Sequence, residues 1–151
     1  MKPDFRTGLT HTQRVVVDRD RTIGFMGEAL RVYSTPSMVL DVERTCKDFL
    51  ARYLTDEENS VGMRVEIDHL GPALLDTWVD VTVTVTEVDR RKVTFEAEVH
   101  DALDVIGKAK HIRFVVELAK QKERLEAKKA KLAEREERVR LLEEELRRLA
   151  T

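Results

Sequence analysis

The sequence predicts an α+β fold, in which a five-stranded antiparallel sheet wraps around one central helix and a long C-terminal helix follows. Three patterns carry that expectation. Apolar residues recur at spacings of three and four over residues 35–54, they alternate with polar residues in the segments on either side, and a seven-residue repeat governs residues 118–151. The chain therefore reads as two parts, a domain over residues 1–117 and a charged helix with a weak coiled-coil seam over residues 118–151.

Residues 10–18 alternate, end in Val15-Val16-Val17 and predict a first strand, closed by the polar turn Asp18-Arg19-Asp20-Arg21. Residues 22–33, with Gly24 and Gly27 among apolar neighbours, fit a loop with a short helical turn. Ser34-Thr35-Pro36 is a helix start, with Thr35 expected as the N-cap and Pro36 at the first helical position, where its missing N–H is harmless. From there Val39, Val42, Cys46, Phe49, Leu50 and Tyr53 form one apolar stripe, with Asp41, Arg44, Lys47, Asp48 and Arg52 assigned to the opposite side.

After residues 55–59 the period changes to two. Val61, Met63, Val65 and Ile67 are expected to face the core, with His69 continuing the set and Gly62, Arg64, Glu66 and Asp68 facing away. Gly71-Pro72 breaks that strand. Residues 77–87 set Val79, Val81, Val83 and Val85 against Asp80, Thr82, Thr84 and Thr86, a half-buried strand. Val93, Phe95, Ala97 and Val99 give the next strand, and a last one runs from Val105 through Val116. Short connections favour antiparallel pairing.

In the tail, Leu118, Leu125, Leu132, Val139 and Leu146 repeat every seven residues, but the second seam position holds Gln121, Lys128 and Arg135 before Leu142 and Leu149 appear. Acid-first pairs such as Glu134 with Arg138, Glu136 with Arg140, Glu143 with Arg147 and Glu144 with Arg148 are expected to support the helix in water.

Composition narrows the function. The formal net charge is −2, which argues against a nucleic-acid-binding surface. No stretch approaches the roughly 18 apolar residues of a membrane span, and the N-terminal residues lack a secretory apolar core, so a cytoplasmic protein with no membrane partner is expected. The single cysteine, Cys46, fits a reducing compartment and reads as core filling rather than as a nucleophile. The four histidines lack metal-ligand spacing, so no metal site is expected.

Two polar residues fall on inward positions. Glu43 lies inside the helical stripe, and His69 ends the apolar face of the strand. Burying either without a partner is costly, so each is either matched to a structural partner or put to work. A buried ion pair with an arginine is the structural alternative for Glu43, a satisfied core imidazole for His69, and plain helix capping for Thr35.

Three motifs bear on the choice: Thr35-Pro36-x-Met38-Val39 with Glu43, Ser60-Val61-Gly62 with His69, and Ile106-Gly107-x-Ala109-x-His111-x-Arg113. Together with the order of elements, they resemble the hotdog-fold thioesterase superfamily, in its fluoroacetyl-CoA-thioesterase-like branch. The resemblance covers residues 10–117 and excludes the tail. It departs from the branch at Ala109, where relatives usually carry a second glycine, and after His69, where Gly71-Pro72-Ala73-Leu74-Leu75-Asp76 replaces a small-residue segment ending in Pro-x-Gly. Fluoroacetyl specificity is therefore not part of the expectation.

The resemblance implies Thr35, Glu43 and His69 as catalytic residues, Gly62, His111 and Arg113 as substrate-binding residues, and an acyl-CoA or related thioester as substrate. Coenzyme A then enters as part of the substrate, with no separate cofactor. His111 and Arg113 either fix their strand or reach a coenzyme A phosphate. Hydrolysis must deliver water or a hydroxyl to the carbonyl carbon, with Glu43 as general base or direct nucleophile, His69 orienting or protonating and Thr35 supplying a hydroxyl, and the free N–H groups of the helix N-terminus are a natural place for the thioester oxygen. At 1.5 Å per residue, Thr35 and Glu43 stand ~12 Å apart along one helix, so the site is expected to be completed across a homodimer, with higher assembly through the tail as a further expectation. The alternative is a non-catalytic acyl-CoA-binding module that assembles or signals through its C-terminal helix.

Overall fold

The strands of the computed structural model, which describes residues Met1–Thr151, are β1 (Thr10–Val16), β2 (Thr22–Ile23), β3 (Val32–Tyr33), β4 (Glu58–His69), β5 (Trp78–Asp89), β6 (Lys92–His100) and β7 (Val105–Glu117), all but the two-residue β2 and β3 arising from the alternating segments. The periodic stretches become helices α1 (Thr35–Ala51) and α2 (Leu118–Leu149). Two units result, Met1–Val116 and Glu117–Thr151.

In the first unit, five strands form one sheet in the order β1-β5-β6-β7-β4. β5 pairs antiparallel with β1 on one side and β6 on the other, and β6 pairs antiparallel with β7. The inward side chains Val79, Val81, Val83, Val85, Phe95 and Val99 are buried against Met38, Val42, Cys46, Phe49 and Leu50 of α1. Each contributes roughly 1.5–3 kcal/mol of apolar burial, which fixes the helix over the sheet. The predicted α+β class is the one observed, a hotdog fold with its central helix and appended C-terminal helix.

Several boundaries and faces differ from expectation. β1 stops at Val16 because Asp18 is drawn into capping a short 3-10 turn, its carboxylate accepting from Arg21 N–H at 3.1 Å. Residues 22–33 contain the two-stranded β2–β3 ladder as well as a second 3-10 turn, Glu28–Leu30. α1 ends at Ala51 rather than near residue 54, where the Arg52 N–H turns back to the Phe49 and Leu50 carbonyls.

The larger correction concerns β4. Val61 and Met63 are exposed, whereas Ser60 is buried and Gly62 faces α1. Val65, Ile67 and His69 are partly buried, so the inward parity changes between Gly62 and Val65. β4 is also an edge strand, leaving one side of its backbone unpaired.

Asp41 is the second correction. It is buried rather than on the solvent face, and its carboxylate accepts from the Tyr33 hydroxyl at 2.5 Å and from Arg21 Nε at 2.9 Å. Those partners come from the segment before the helix, beyond the reach of a helical wheel.

The second unit is α2 preceded by Glu117, and it buries no residue. Its ion pairs differ from those expected: Arg140 joins Glu137 and Glu144, Arg148 approaches Glu145, and Lys122 approaches Glu126. No helix of the protein is long and apolar enough to cross a membrane.

Candidate active site

Ser34, not Thr35, caps α1. Its hydroxyl oxygen accepts from Ser37 N–H at 3.2 Å, and its carbonyl accepts from Met38 N–H at 3.0 Å. Pro36 has no N–H to give, so the first turn offers a ligand only the Thr35 N–H rather than a ring of donors. Thr35 itself is relieved of capping. Its exposed hydroxyl lies 2.8 Å from His69 Nδ1, joining the start of α1 to the end of β4.

The imidazole is oriented from behind. The ring of Tyr33 meets that of His69 edge-on, with centroids 6.3 Å apart. Burial and the Asp41 carboxylate push the Tyr33 phenol far above its ordinary range, so it remains a hydrogen-bond donor. Arg21, Asp41 and Tyr33 thus form a relay of contacts that fixes the wall on which His69 rests. A depression of about 300 Å³ opens over the pair, lined by Ile23, Tyr33, Thr35, His69, Leu70 and Pro72. Its mixture of apolar walls and two converging polar groups suits an acyl chain with a reactive carbonyl.

Glu43 belongs to a second cluster. A Cβ placed on Gly62 would lie 2.9 Å from Glu43 Oε2, 3.2 Å from His111 Cε1 and 3.4 Å from Arg113 Nη1, so any larger residue would push this carboxylate out of its place. Both residues behind it are buried. His111 Nδ1–H donates to the Arg64 carbonyl at 2.8 Å, which leaves Nε2 to accept from Arg113 Nη1 at 3.2 Å. Burial holds the His111 pKa below its ordinary value, in keeping with a neutral ring that accepts from a guanidinium. Arg113 Nε donates to Ser60 Oγ at 2.8 Å and Nη2 to the Ser60 carbonyl at 2.9 Å. Glu43, partly buried, makes no hydrogen bond or close ion pair within the chain, although its charge acts through space on Arg113 and His111.

One chain therefore brings Thr35 to His69, and Glu43 to Gly62, His111 and Arg113, with ~12 Å of helix between the two groups. His111 and Arg113 sit behind Glu43 rather than at the surface. Ser60, Tyr33 and Asp41 were not singled out from the sequence. Ser60 stands within the Ser-Val-Gly motif, but the other two carry no pattern that marks them. Cys46 is buried in the core, where desolvation pushes its thiol up to about 12.

This fold is that of hotdog thioesterases. A structure of a mutant fluoroacetyl-CoA-specific thioesterase superposes with a TM-score of 0.75 at 28% identity, covering 84% of this chain and 99% of that one. A Thermus thermophilus thioesterase superfamily member gives 0.75 at 27% identity, covering 89% and 98%. The fluoroacetyl-CoA thioesterase of Streptantibioticus cattleyicolor is 29% identical over 127 residues, covering 80% of this chain and 91% of that protein. The chain belongs to the fluoroacetyl-CoA-specific thioesterase family, whose sequence pattern matches residues 17–119.

Proposed function

We propose that the protein hydrolyses an acyl-CoA thioester, with Thr35 and His69 of one subunit and Glu43 of a second forming each site. The observation that carries this is the Thr35–His69 hydrogen bond at the mouth of an apolar depression, made by a hydroxyl that has no capping duty. Family membership supplies the reaction class.

The split between the two clusters supports a homodimer. β4 is a 12-residue edge strand with exposed Val61 and Met63, a surface that a second copy can cover. If two β4 strands pair antiparallel about a point between Val65 and Glu66, His69 of one subunit stands opposite Gly62 of the other. Glu43 rests against Gly62, so its carboxylate then enters the depression beside the Thr35–His69 pair. There it activates water or attacks the thioester carbonyl, while the Thr35 hydroxyl and N–H hold the oxygen that becomes negative. His111, Arg113 and Gly62 shape the seat of the carboxylate. Coenzyme A enters as part of the substrate and leaves as the free thiol once the carbonyl–sulfur bond breaks and the thiolate takes up a proton, with no other cofactor or metal, and the unpaired Cys46 suits the reducing cytoplasm.

Complementation tests both halves of the reading. Wild type should hydrolyse members of an acyl-CoA panel, followed by a thiol reporter, and Glu43→Gln and His69→Ala should each be inactive. When the two variants are co-expressed, half of the dimers pair one of each and hold one intact site, so about a quarter of wild-type activity returns. An inactive wild type rejects the enzyme reading. An active wild type with a dead mixture rejects only the shared site.

A further inference from the structure

We infer that α2 pairs antiparallel with the α2 of a second copy, in the register that sets Leu118 against Leu149 and Leu125 against Leu142. All but its first two residues lie beyond the family match, and none belongs to the proposed site, so the inference does not depend on the proposed chemistry. Its apolar line is uncovered: Leu118, Leu125, Leu132, Val139 and Leu146 are 44%, 58%, 49%, 45% and 67% exposed. Five apolar residues in heptad spacing on one isolated helix call for a matching helix.

The second line decides the direction. It holds Gln121, Lys128, Arg135, Leu142 and Leu149. Parallel pairing stacks each of these on itself, forcing Lys128 against Lys128 and Arg135 against Arg135 of the second copy inside the seam. Antiparallel pairing instead joins the two lines to each other. Lys128 then meets Val139 and Arg135 meets Leu132, where the long stems lie along an apolar neighbour and the charged ends reach water. The apolar layers Leu118–Leu149 and Leu125–Leu142 form twice, once toward each end.

Flanking charges agree with that register. Lys122 faces Glu143, Lys129 faces Glu136 and Arg124 faces Glu145, against one unfavourable pair, Lys131 with Arg138. Residues 118–133 carry six basic and two acidic side chains, whereas residues 134–149 carry five basic and six acidic. Only the antiparallel arrangement lays the strongly basic half over the half that holds most of the glutamates, and it also opposes the two helix dipoles.

Cysteine pairing in the full-length protein tests the direction. Leu125→Cys and Leu142→Cys chains, co-expressed and mildly oxidised, should give a disulfide-linked species on a non-reducing gel, and neither variant alone should. Cys46 is buried and does not compete. Adding Leu132→Asp and Val139→Asp should lower the linked fraction about tenfold, the effect of losing 1.4 kcal/mol or more of pairing, with thioester turnover unchanged. Efficient linkage of Leu125→Cys alone, no linkage in the mixture, or linkage indifferent to the aspartates would each overturn the proposal.

Discussion

Replacing Gly62 by alanine separates the seat of Glu43 from the stability of the fold. The added methyl would stand 2.9 Å from Glu43 Oε2 and 3.2 Å from His111 Cε1. His111 cannot give way, because both ring nitrogens are bonded, at 2.8 and 3.2 Å. Glu43 can, since no hydrogen bond within the chain holds it, and its oxygen must retreat by about 0.5 Å to reach ordinary contact. A misplacement of about 1 Å at a reacting group costs on the order of 100-fold in rate, so half of that shift costs about tenfold, or ~1.4 kcal/mol in the barrier. Stability should barely change: mild overpacking of about 1 kcal/mol is offset by the lower chain entropy that alanine brings to the unfolded state. The assay is steady-state acyl-CoA hydrolysis alongside urea unfolding, and kcat should fall about tenfold with the urea midpoint nearly constant. Unaltered kcat, or a loss of several kcal/mol in stability with full activity in the folded fraction, would refute the placement of Glu43 against this glycine.

Three further outcomes follow from the buried polar groups. Asp41→Ala leaves the Tyr33 hydroxyl and the Arg21 guanidinium without their shared carboxylate, and should cost about 2–3 kcal/mol in urea unfolding, whereas Tyr33→Phe should cost about 1 kcal/mol. His111, whose folded pKa is depressed by burial, takes up a proton more readily in the unfolded chain; its contribution is complete above about pH 6.5 and is lost as the pH falls below that. The fall in unfolding free energy between pH 7.5 and 5 should therefore be smaller in His111→Gln than in wild type. Cys46, held protonated up to about 12 and shut in the core, should react with an aromatic disulfide reagent only at the rate of unfolding, and fast labelling in native buffer would contradict its burial.

The elements were legible because period and burial coincide. The valines of β5 face the core without exception from Val79 to Val85, and α1 shows its stripe from Val42 to Leu50. β4 misled because its change of parity occurs beside Gly62, which has no side chain to reveal a face; the apolar Val61 and Met63 then look inward although they are not. Asp41 misleads because it lies off the apolar stripe, where a carboxylate is assigned to water, while its partners Arg21 and Tyr33 arrive from another segment. Glu43 and His69 stand out through motif resemblance together with their inward positions, and Thr35, which is exposed, through the resemblance alone. Spacing alone showed that Thr35 and Glu43 cannot meet on one helix. The division into two clusters needed coordinates, since it depends on which turn of α1 faces which end of β4.

Two adjacent hydroxyls at the head of α1 have different tasks, and this has an evolutionary consequence. Ser34 secures the helix, so the neighbouring position can change its chemistry without unwinding anything. Mutation can explore new reactivity at Thr35 while the scaffold stays intact, a freedom that a single residue serving both needs would not have.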